Sequence, residues 1–311
     1  MNPLVSLHAV MLDLIAANKK RTALLIGAFV LVIVALGAAI GFLAGNGIIG
    51  IVVAFAVAAL MSVGSYWKAD AIALSVSRAV PADPVEYKRL HNLVEGLCIA
   101  SGLPKPRVFV VHDPAPNAFA TGRNPKNASL AVTTGLLDSM NRVELEGVVA
   151  HELAHIRNYD ILLSTVAVTL VGNVALAAEM TIRLMWWNGG RSRRDGDRAD
   201  RTNPIAWLGF AMLMSAPLLG RLMQVSISRR RESLADASAC QITRYPPGMV
   251  AALEKLRDNR TVTHSATAAT AHLWMAQPLS GVGDDGRLAW FHRLFATHPP
   301  MEDRIGLLRE L

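Results

Sequence analysis

The chain has 311 residues, which is long enough for one or two compact domains. Hydrophobic residues make up 52% of it and the mean hydropathy is +0.33, which argues against an ordinary soluble enzyme and indicates a membrane protein. The net charge of +7 comes mostly from arginine clusters near apolar segments, without a nucleic-acid motif. It therefore predicts contact with anionic lipid headgroups and no nucleic-acid partner.

The first long apolar stretch covers residues 22–67 and contains no Asp, Glu, Lys or Arg. Gly45-Asn46-Gly47 divides it, so the pattern predicts a transmembrane helical hairpin with spans Thr22–Leu43 and Ile48–Trp67. Each span supplies the roughly 20 residues that a bilayer core of about 30 Å requires. The alternative is a helical hairpin buried in a soluble core. The first run is longer than a signal-peptide core, so a retained anchor is expected.

The charges at the ends of this stretch predict its orientation. Lys19, Lys20 and Arg21 precede the first span and Lys68 follows the second, so the positive-inside rule places both flanks in the cytoplasm. Residues 1–21 are interpreted as a short amphipathic segment that leads into the first span.

Residues 68–160 are expected to form the first part of a soluble domain. Helical spacing extends from Asp83 to about Ser101 and ends before a glycine and a proline. Three β-rich runs follow, RVFVVHD, NAFATG and SLAVTTGLL, and they predict a small antiparallel sheet. Asn141 with Glu144 three positions later is typical of a capping box, which predicts a helix through VELEGVVAHELAHIRN.

Residues 161–224 contain a second, weaker hydrophobic pair around a basic loop at 186–204 with five arginines and three aspartates. The pair is interpreted as two crossings or as a re-entrant hairpin, and in both cases its flanks lie on the same side. Residues 225–311 complete the soluble domain, with a helix through SRRRESLADASACQ and a short final helix after THPP. Cys98 and Cys240 are too few for a disulfide framework and are expected to be free thiols.

The helix predicted after Asn141 carries the motif HELAH at residues 151–155. Positions four apart lie on one helix face, so His151 and His155 can direct two imidazoles at one ion. Glu152 can take a proton from a water that the metal activates, which is the pattern of zinc metalloproteases. A pair of surface or capping histidines is the alternative, but the apolar neighbours Val148 and Leu153 indicate a buried helix.

A catalytic zinc needs a third protein ligand and one open position. Two glutamates on other helices are candidates, Glu179 and Glu232. Glu232 is favoured because Asp236, one helical turn later, can accept a hydrogen bond from a ligating imidazole. In the alternative interpretation, Glu232 and Asp236 only pair with the arginines at positions 229–231.

The motifs HELAH, RRRESLAD, NAFATG and THPP, with hydrophobic pairs around the first, resemble the HtpX-type membrane zinc endopeptidases, relatives of the CAAX prenyl endopeptidase. The resemblance covers roughly residues 22–311. It implies a mainly α membrane protein with transmembrane helices and a cytoplasmic α+β zinc metallopeptidase domain of the gluzincin type. It also implies one Zn²⁺ per chain, bound by His151, His155 and Glu232 with Glu152 as base. Ser233-Leu234 departs from the family, where an aromatic residue is common.

The resemblance assigns roles to two further residues. Asn117, in NAFATG, would lie on an edge strand beside the metal and hold the substrate backbone. His298, in THPP, would lie near the scissile carbonyl and stabilise the oxyanion, whereas a turn histidine that caps the last helix is the alternative.

The expected function is therefore a membrane-embedded zinc endopeptidase in protein quality control at the bacterial plasma membrane. Its expected partners are unfolded or membrane-protein substrates and the lipid bilayer. A non-catalytic membrane chaperone with a structural zinc is one alternative, although such a site has no need of Glu152. A small transporter is another, although the two strong spans lack paired charges.

Overall fold

The computed structural model describes residues 3–43, 46–170, 229–259, 261–267, 270–276 and 300–310. The helices described are α1 (Pro3–Leu43), α2 (Gly47–Val76), α3 (Lys88–Ser101), α4 (Thr134–Ser139), α5 (Arg142–Arg157), α6 (Asp160–Leu170), α7 (Arg229–Thr243), α8 (Pro246–Asp258) and α9 (Met301–Arg309). The strands described are β1 (Val80–Pro81), β2 (Arg107–Val111), β3 (Ala118–Asn124) and β4 (Asn127–Thr133).

Helices α1 and α2 form the predicted helical hairpin. The lead-in segment and the first predicted span are one continuous helix, α1, and α2 continues beyond the second predicted span to Val76. Asn46 begins α2, and its side chain accepts a hydrogen bond from the Ile49 N–H at 3.4 Å. The two helices approach closely at Gly37, where an added Cβ would lie 2.2 Å from the Ala54 Cβ.

The outer face of this hairpin is apolar and exposed. Ile48 and Leu60 of α2 are 76% and 73% exposed, and Leu31 of α1 is 70% exposed. Among the helices in the described ranges, α2 is the one whose length and composition would allow it to cross a membrane. The inner face packs against α6 in a cluster formed by Leu25, Phe29, Ile33, Ala54, Ala58, Leu162, Leu163, Val166, Ala167 and Leu170.

The four described strands form a mixed sheet in the order β1-β2-β4-β3, so the prediction of an antiparallel sheet is wrong. Strands β3 and β4 form an antiparallel hairpin, but β4 pairs with β2 in parallel. The reason is that the chain passes from β2 across the sheet to its far edge before β3 begins. A second correction concerns SLAVTTGLL, in which the strand ends at Thr133. The Thr133 hydroxyl accepts from the Leu136 N–H and begins α4.

Two apolar layers enclose the sheet. On one face, α3, α5, α8 and α9 pack around buried residues such as Leu130 and Leu153. On the other face, the end of α2 and Trp274 cover Phe119. The C-terminal end of the hairpin is thereby attached to the sheet.

Helix α5 begins and ends almost where the sequence predicts. The Asn141 side chain accepts from the N–H groups of Val143 and Glu144, and the Glu144 carboxylate accepts from the Asn141 N–H, so the predicted capping box is confirmed. Helix α3 ends as predicted at Gly102, which has φ +69°. It begins later than predicted because the Asp83 side chain forms a turn with the Val85 and Glu86 N–H groups instead.

Candidate metal centre

Helix α5 places two imidazoles side by side. His151 and His155 are four residues apart, and their Nε2 atoms lie 3.0 Å from each other. Two ligand bonds of 2.0–2.1 Å at a tetrahedral ion would hold such atoms about 3.3 Å apart. Glu152, between them in sequence, is 2% exposed. The two ring nitrogens therefore face one common point inside the protein.

Helix α7 brings a carboxylate to the same point. Glu232 Oε2 lies 3.7 Å from His151 Nε2, and Glu232 Oε1 lies 3.6 Å from His155 Nε2. The ligand atoms of the three residues are all within 4.8 Å of one another and could hold a metal ion. We call His151, His155 and Glu232 the metal centre. Their role as ligands stays a prediction, but the geometry fits one ion with an open position.

A carboxylate engages the other nitrogen of each imidazole. Asp236 Oδ1 lies 2.8 Å from His151 Nδ1, and Asp160 Oδ2 lies 3.0 Å from His155 Nδ1. A carboxylate accepts hydrogen bonds, so each Nδ1–H donates and each Nε2 is left to present its lone pair to a metal. Asp236 thus lies where the sequence predicts a supporting carboxylate, although it supports the first histidine of the motif and Asp160 supports the second.

Arg304, from α9, completes the buried charge network. Its Nε donates to Asp236 Oδ2 at 2.8 Å and its Nη2 to Asp236 Oδ1 at 2.6 Å. Its Nη1 lies 3.8 Å from Glu232 Oε2. Burial and the contact with Arg304 have opposite effects on the pKa of Asp236. Burial alone would raise the pKa of Asp236, but Arg304 and His151 lower it to about 2.

The charges of this region match a divalent cation. The buried acidic residues are Glu152, Asp160, Glu232 and Asp236, and the buried arginines are Arg231 and Arg304, each at most 5% exposed. Four negative and two positive charges leave a balance of −2 when both histidines are neutral. A buried net charge of this size is costly unless a cation compensates it. The donor set and the charge balance therefore both fit an M²⁺ ion.

The surroundings of His155 also raise the pKa of its imidazole. Burial would lower the pKa of His155, but its hydrogen bond with Asp160 and the charges of Glu232, Asp160 and Glu152 raise it to about 9. At neutral pH the metal-free imidazole of His155 is therefore protonated. A metal that binds to its Nε2 has to displace this proton, so binding releases a proton to the solvent.

Asn117 lies immediately before β3, which is one of the two edge strands of the described sheet. Its amide bonds to the chain itself: Nδ2 donates to the Ala276 carbonyl at 3.0 Å, and Oδ1 accepts from the Ala276 N–H at 3.0 Å. The Met275 N–H donates to the Ala118 carbonyl at 2.9 Å. Residues 275–276 therefore lie beside the start of β3, on the sheet edge where a substrate peptide is expected to bind.

Two further predictions, His298 and the alternative ligand Glu179, lie outside the described residues, as do the basic loop at 186–204 and most of the second hydrophobic pair. Conversely, the sequence analysis missed Asp160 and Arg304. A signal for Asp160 was available, because it lies five residues after His155, just beyond the end of α5. Arg304 offered none, since its partner Asp236 is 68 positions away.

Comparison with known proteins identifies the family. Residues 84–311 match the model of peptidase family M48. The chain belongs to peptidase family M48. It is 43% identical over 301 residues to a protease HtpX homolog of Caldanaerobacter subterraneus subsp. tengcongensis, covering 96% of this chain and 97% of that protein. It is 39% identical over 300 residues to the protease HtpX homolog of Streptococcus uberis, covering 96% and 98%.

The similarity to a solved structure is weaker. The crystal structure of S. mikatae Ste24p superposes with a TM-score of 0.46 at 16% identity, over 96% of this chain and 67% of that chain. Membership of family M48 makes the chain a metalloendopeptidase, as its sequence predicts. The resemblance drawn from the four motifs is thereby confirmed.

Proposed function

We propose that this M48 peptidase is a membrane-embedded zinc endopeptidase that cleaves misfolded or damaged membrane proteins, and unfolded cytosolic segments, in protein quality control. The observation that carries the proposal is the metal centre itself. Two imidazole Nε2 atoms and the Glu232 carboxylate meet in a buried region, next to the buried Glu152, whose charge balance is −2 when both histidines are neutral.

In this proposal one Zn²⁺ binds to His151, His155 and Glu232, and when bound it lowers the pKa of a water toward about 7 and polarises the scissile carbonyl. Glu152 accepts the proton of the attacking water and passes it to the leaving amine. Asp236 Oδ1 lies 2.8 Å from His151 Nδ1. This contact holds His151 in the tautomer that can bind the metal through Nε2. His298 donates to the oxyanion.

Two substitutions separate metal binding from cleavage. Glu152→Gln should retain about one zinc per chain and lose cleavage of an unfolded protein such as casein by about 10²–10⁴-fold, the usual contribution of a general base. Glu232→Ala should lose both zinc and cleavage. Glu146→Gln is the matched control, because Glu146 lies on the same helix and pairs with Arg142 away from the metal centre. A fully active Glu152→Gln protein would refute the assignment of the base.

The membrane part of the proposal is supported by the exposed apolar face of the hairpin. A water-soluble protein rarely exposes a continuous row of Ile, Leu and Val along a helix of 30 residues. The basic residues 19–21 and Lys68 lie at the ends of the two charge-free runs. By the positive-inside rule we propose that the metal centre faces the cytoplasm of a bacterial plasma membrane.

Cysteine labelling in intact cells tests this orientation. Ile99→Cys lies on α3 of the peptidase part, where the native side chain is 77% exposed, and Ile48→Cys lies at the hairpin tip, where it is 76% exposed. An impermeant maleimide should label the tip and not α3. Both native cysteines are buried, so background labelling should be low. Labelling of both positions from the same side would contradict the hairpin topology.

The position of β3 at an edge of the sheet favours the proposal that the substrate binds in an extended, unfolded form. A peptide that adds to a sheet edge is held by main-chain hydrogen bonds, which place few demands on its side chains. We propose that such a strand displaces residues 275–276 and bonds to Asn117. A membrane-anchored reporter and a destabilised variant of it, reconstituted with the enzyme, test the preference. The destabilised form should be cleaved much faster, and equal cleavage of both would contradict a quality-control role.

A further inference from the structure

The turn that follows the metal-binding helix is attached to the N-terminal helix. This turn, Asn158–Asp160, joins α5 to α6, and Tyr159 within it adopts a left-handed backbone with φ +60°. A non-glycine residue in this conformation needs support from its surroundings. The support comes from α1, which lies about 140 positions earlier in the chain.

Two neighbouring residues of α1 contact the turn. Asn18, 1% exposed, donates from Nδ2 to the Asn158 carbonyl at 3.0 Å and to Asp160 Oδ1 at 2.7 Å. The Lys19 ammonium lies 4.8 Å from the centroid of the Tyr159 ring, in a cation–π contact. Both hydrogens of the Asn18 amide are thus used on the turn.

Asp160 links these contacts to the metal centre. Its Oδ1 accepts from Asn18, and its Oδ2 accepts from His155 Nδ1 at 3.0 Å. A carboxylate that bridges two fixed donors has its plane determined by both, so the orientation of the His155 imidazole depends on where Asn18 holds Asp160. This side chain lies on the segment that continues into the first predicted membrane span.

We propose that Asn18 is a positioning residue of the metal centre, which acts through Asp160 to orient His155. The metal centre is then complete only when α1 is docked against the Asn158–Asp160 turn. This inference rests on the proposed function and adds that a residue of the N-terminal helix sets metal affinity.

The test is a double-mutant cycle on full-length, detergent-purified protein, with zinc affinity measured by competition against a chelator. Asn18→Ala and the similarly sized Asn18→Leu should each weaken zinc binding by about tenfold or more, and Asp160→Ala by about 10–100-fold, as expected for residues that orient a ligand. The double variant should bind zinc no more weakly than Asp160→Ala alone, because both changes break the same link.

Thr22→Val is the matched control. Thr22 is also buried on α1, and its hydroxyl bonds within its own helix, to the Asn18 carbonyl at 2.9 Å. Its zinc affinity should equal that of the wild type. A second measurement is the visible absorption of the Co²⁺-substituted protein, which reports ligand geometry. The spectrum should change in Asn18→Leu and remain unchanged in Thr22→Val.

The outcomes separate this inference from the proposed function. Wild-type affinity and an unchanged Co²⁺ spectrum in both Asn18 variants would overturn the inference, and so would a double variant whose loss is the product of the two single losses. A wild-type protein that binds no stoichiometric zinc and cleaves nothing would instead overturn the proposed function.

Discussion

Replacement of Arg304 by methionine should strongly destabilise the metal-free protein. Arg304 and Asp236 are 1% and 2% exposed, and two hydrogen bonds of 2.8 and 2.6 Å join them. Arg304 helps to hold the pKa of Asp236 near 2 against the effect of burial, so its removal leaves Asp236 either charged without its partner or protonated at the cost of that pKa shift. Loss of one member of a buried ion pair costs about 3–5 kcal/mol, mainly because the other charge remains buried.

The expected loss of stability can be measured as a decrease in the melting temperature, Tm. At about 2–4 °C per kcal/mol for a protein of this size, Arg304→Met should lower Tm by about 6–20 °C. The assay is thermal unfolding in detergent with a chelator present, so that bound metal does not contribute to stability. The double variant Arg304→Met with Asp236→Asn should recover at least about 1 kcal/mol, because it removes both charges.

The same helix provides a control. Arg309 pairs with Glu254 at 2.5 Å, but its side chain is 64% exposed. Such surface pairs contribute about 0–1 kcal/mol, so Arg309→Met should lower Tm by at most about 4 °C. Equal effects of the two substitutions would refute the reasoning, since it depends on the burial of Arg304 and not on its charge alone.

Three further predictions concern other parts of the chain. Burial raises the pKa of Cys98 and Cys240 to about 11. Iodoacetamide should therefore alkylate them slowly at pH 8, and faster in denaturant or as the pH approaches 11. Fast labelling of the native protein at pH 8 would contradict their burial. Ala276→Pro removes the N–H that donates to Asn117 Oδ1. Because residues 275–276 are proposed to compete with substrate, the KM for peptide cleavage should fall. A higher KM would refute that competition. Gly147→Ala places a Cβ 2.9 Å from a backbone atom of α8, so Tm should fall and zinc affinity should change little; an unchanged Tm would contradict this close packing.

Several features follow from the sequence because they depend on neighbouring residues. The capping box of Asn141 and Glu144 begins α5 through contacts three positions apart. The spacing of His151 and His155 places them on one helix face wherever the helix is located. The charge-free run from residue 22 to 67 and its central Asn46 determine a helical hairpin in the same local way.

The tertiary structure decided what depends on contacts between distant segments. Strand alternation determines which side chains share a face, but it does not determine the pairing partner, so the parallel pairing of β2 with β4 was not predicted. The bond between Arg304 and Asp236 joins helices that the sequence separates by 68 positions.

The surroundings of His155 show the same division most clearly. Sequence spacing identifies His155 as a candidate ligand, because that property belongs to one helix. Its orientation depends on Asp160 and on Asn18, which lies 142 positions before Asp160. Short-range spacing can therefore identify the candidate pair of metal ligands, whereas the packing of α1 against the turn between α5 and α6 determines what holds the pair in place.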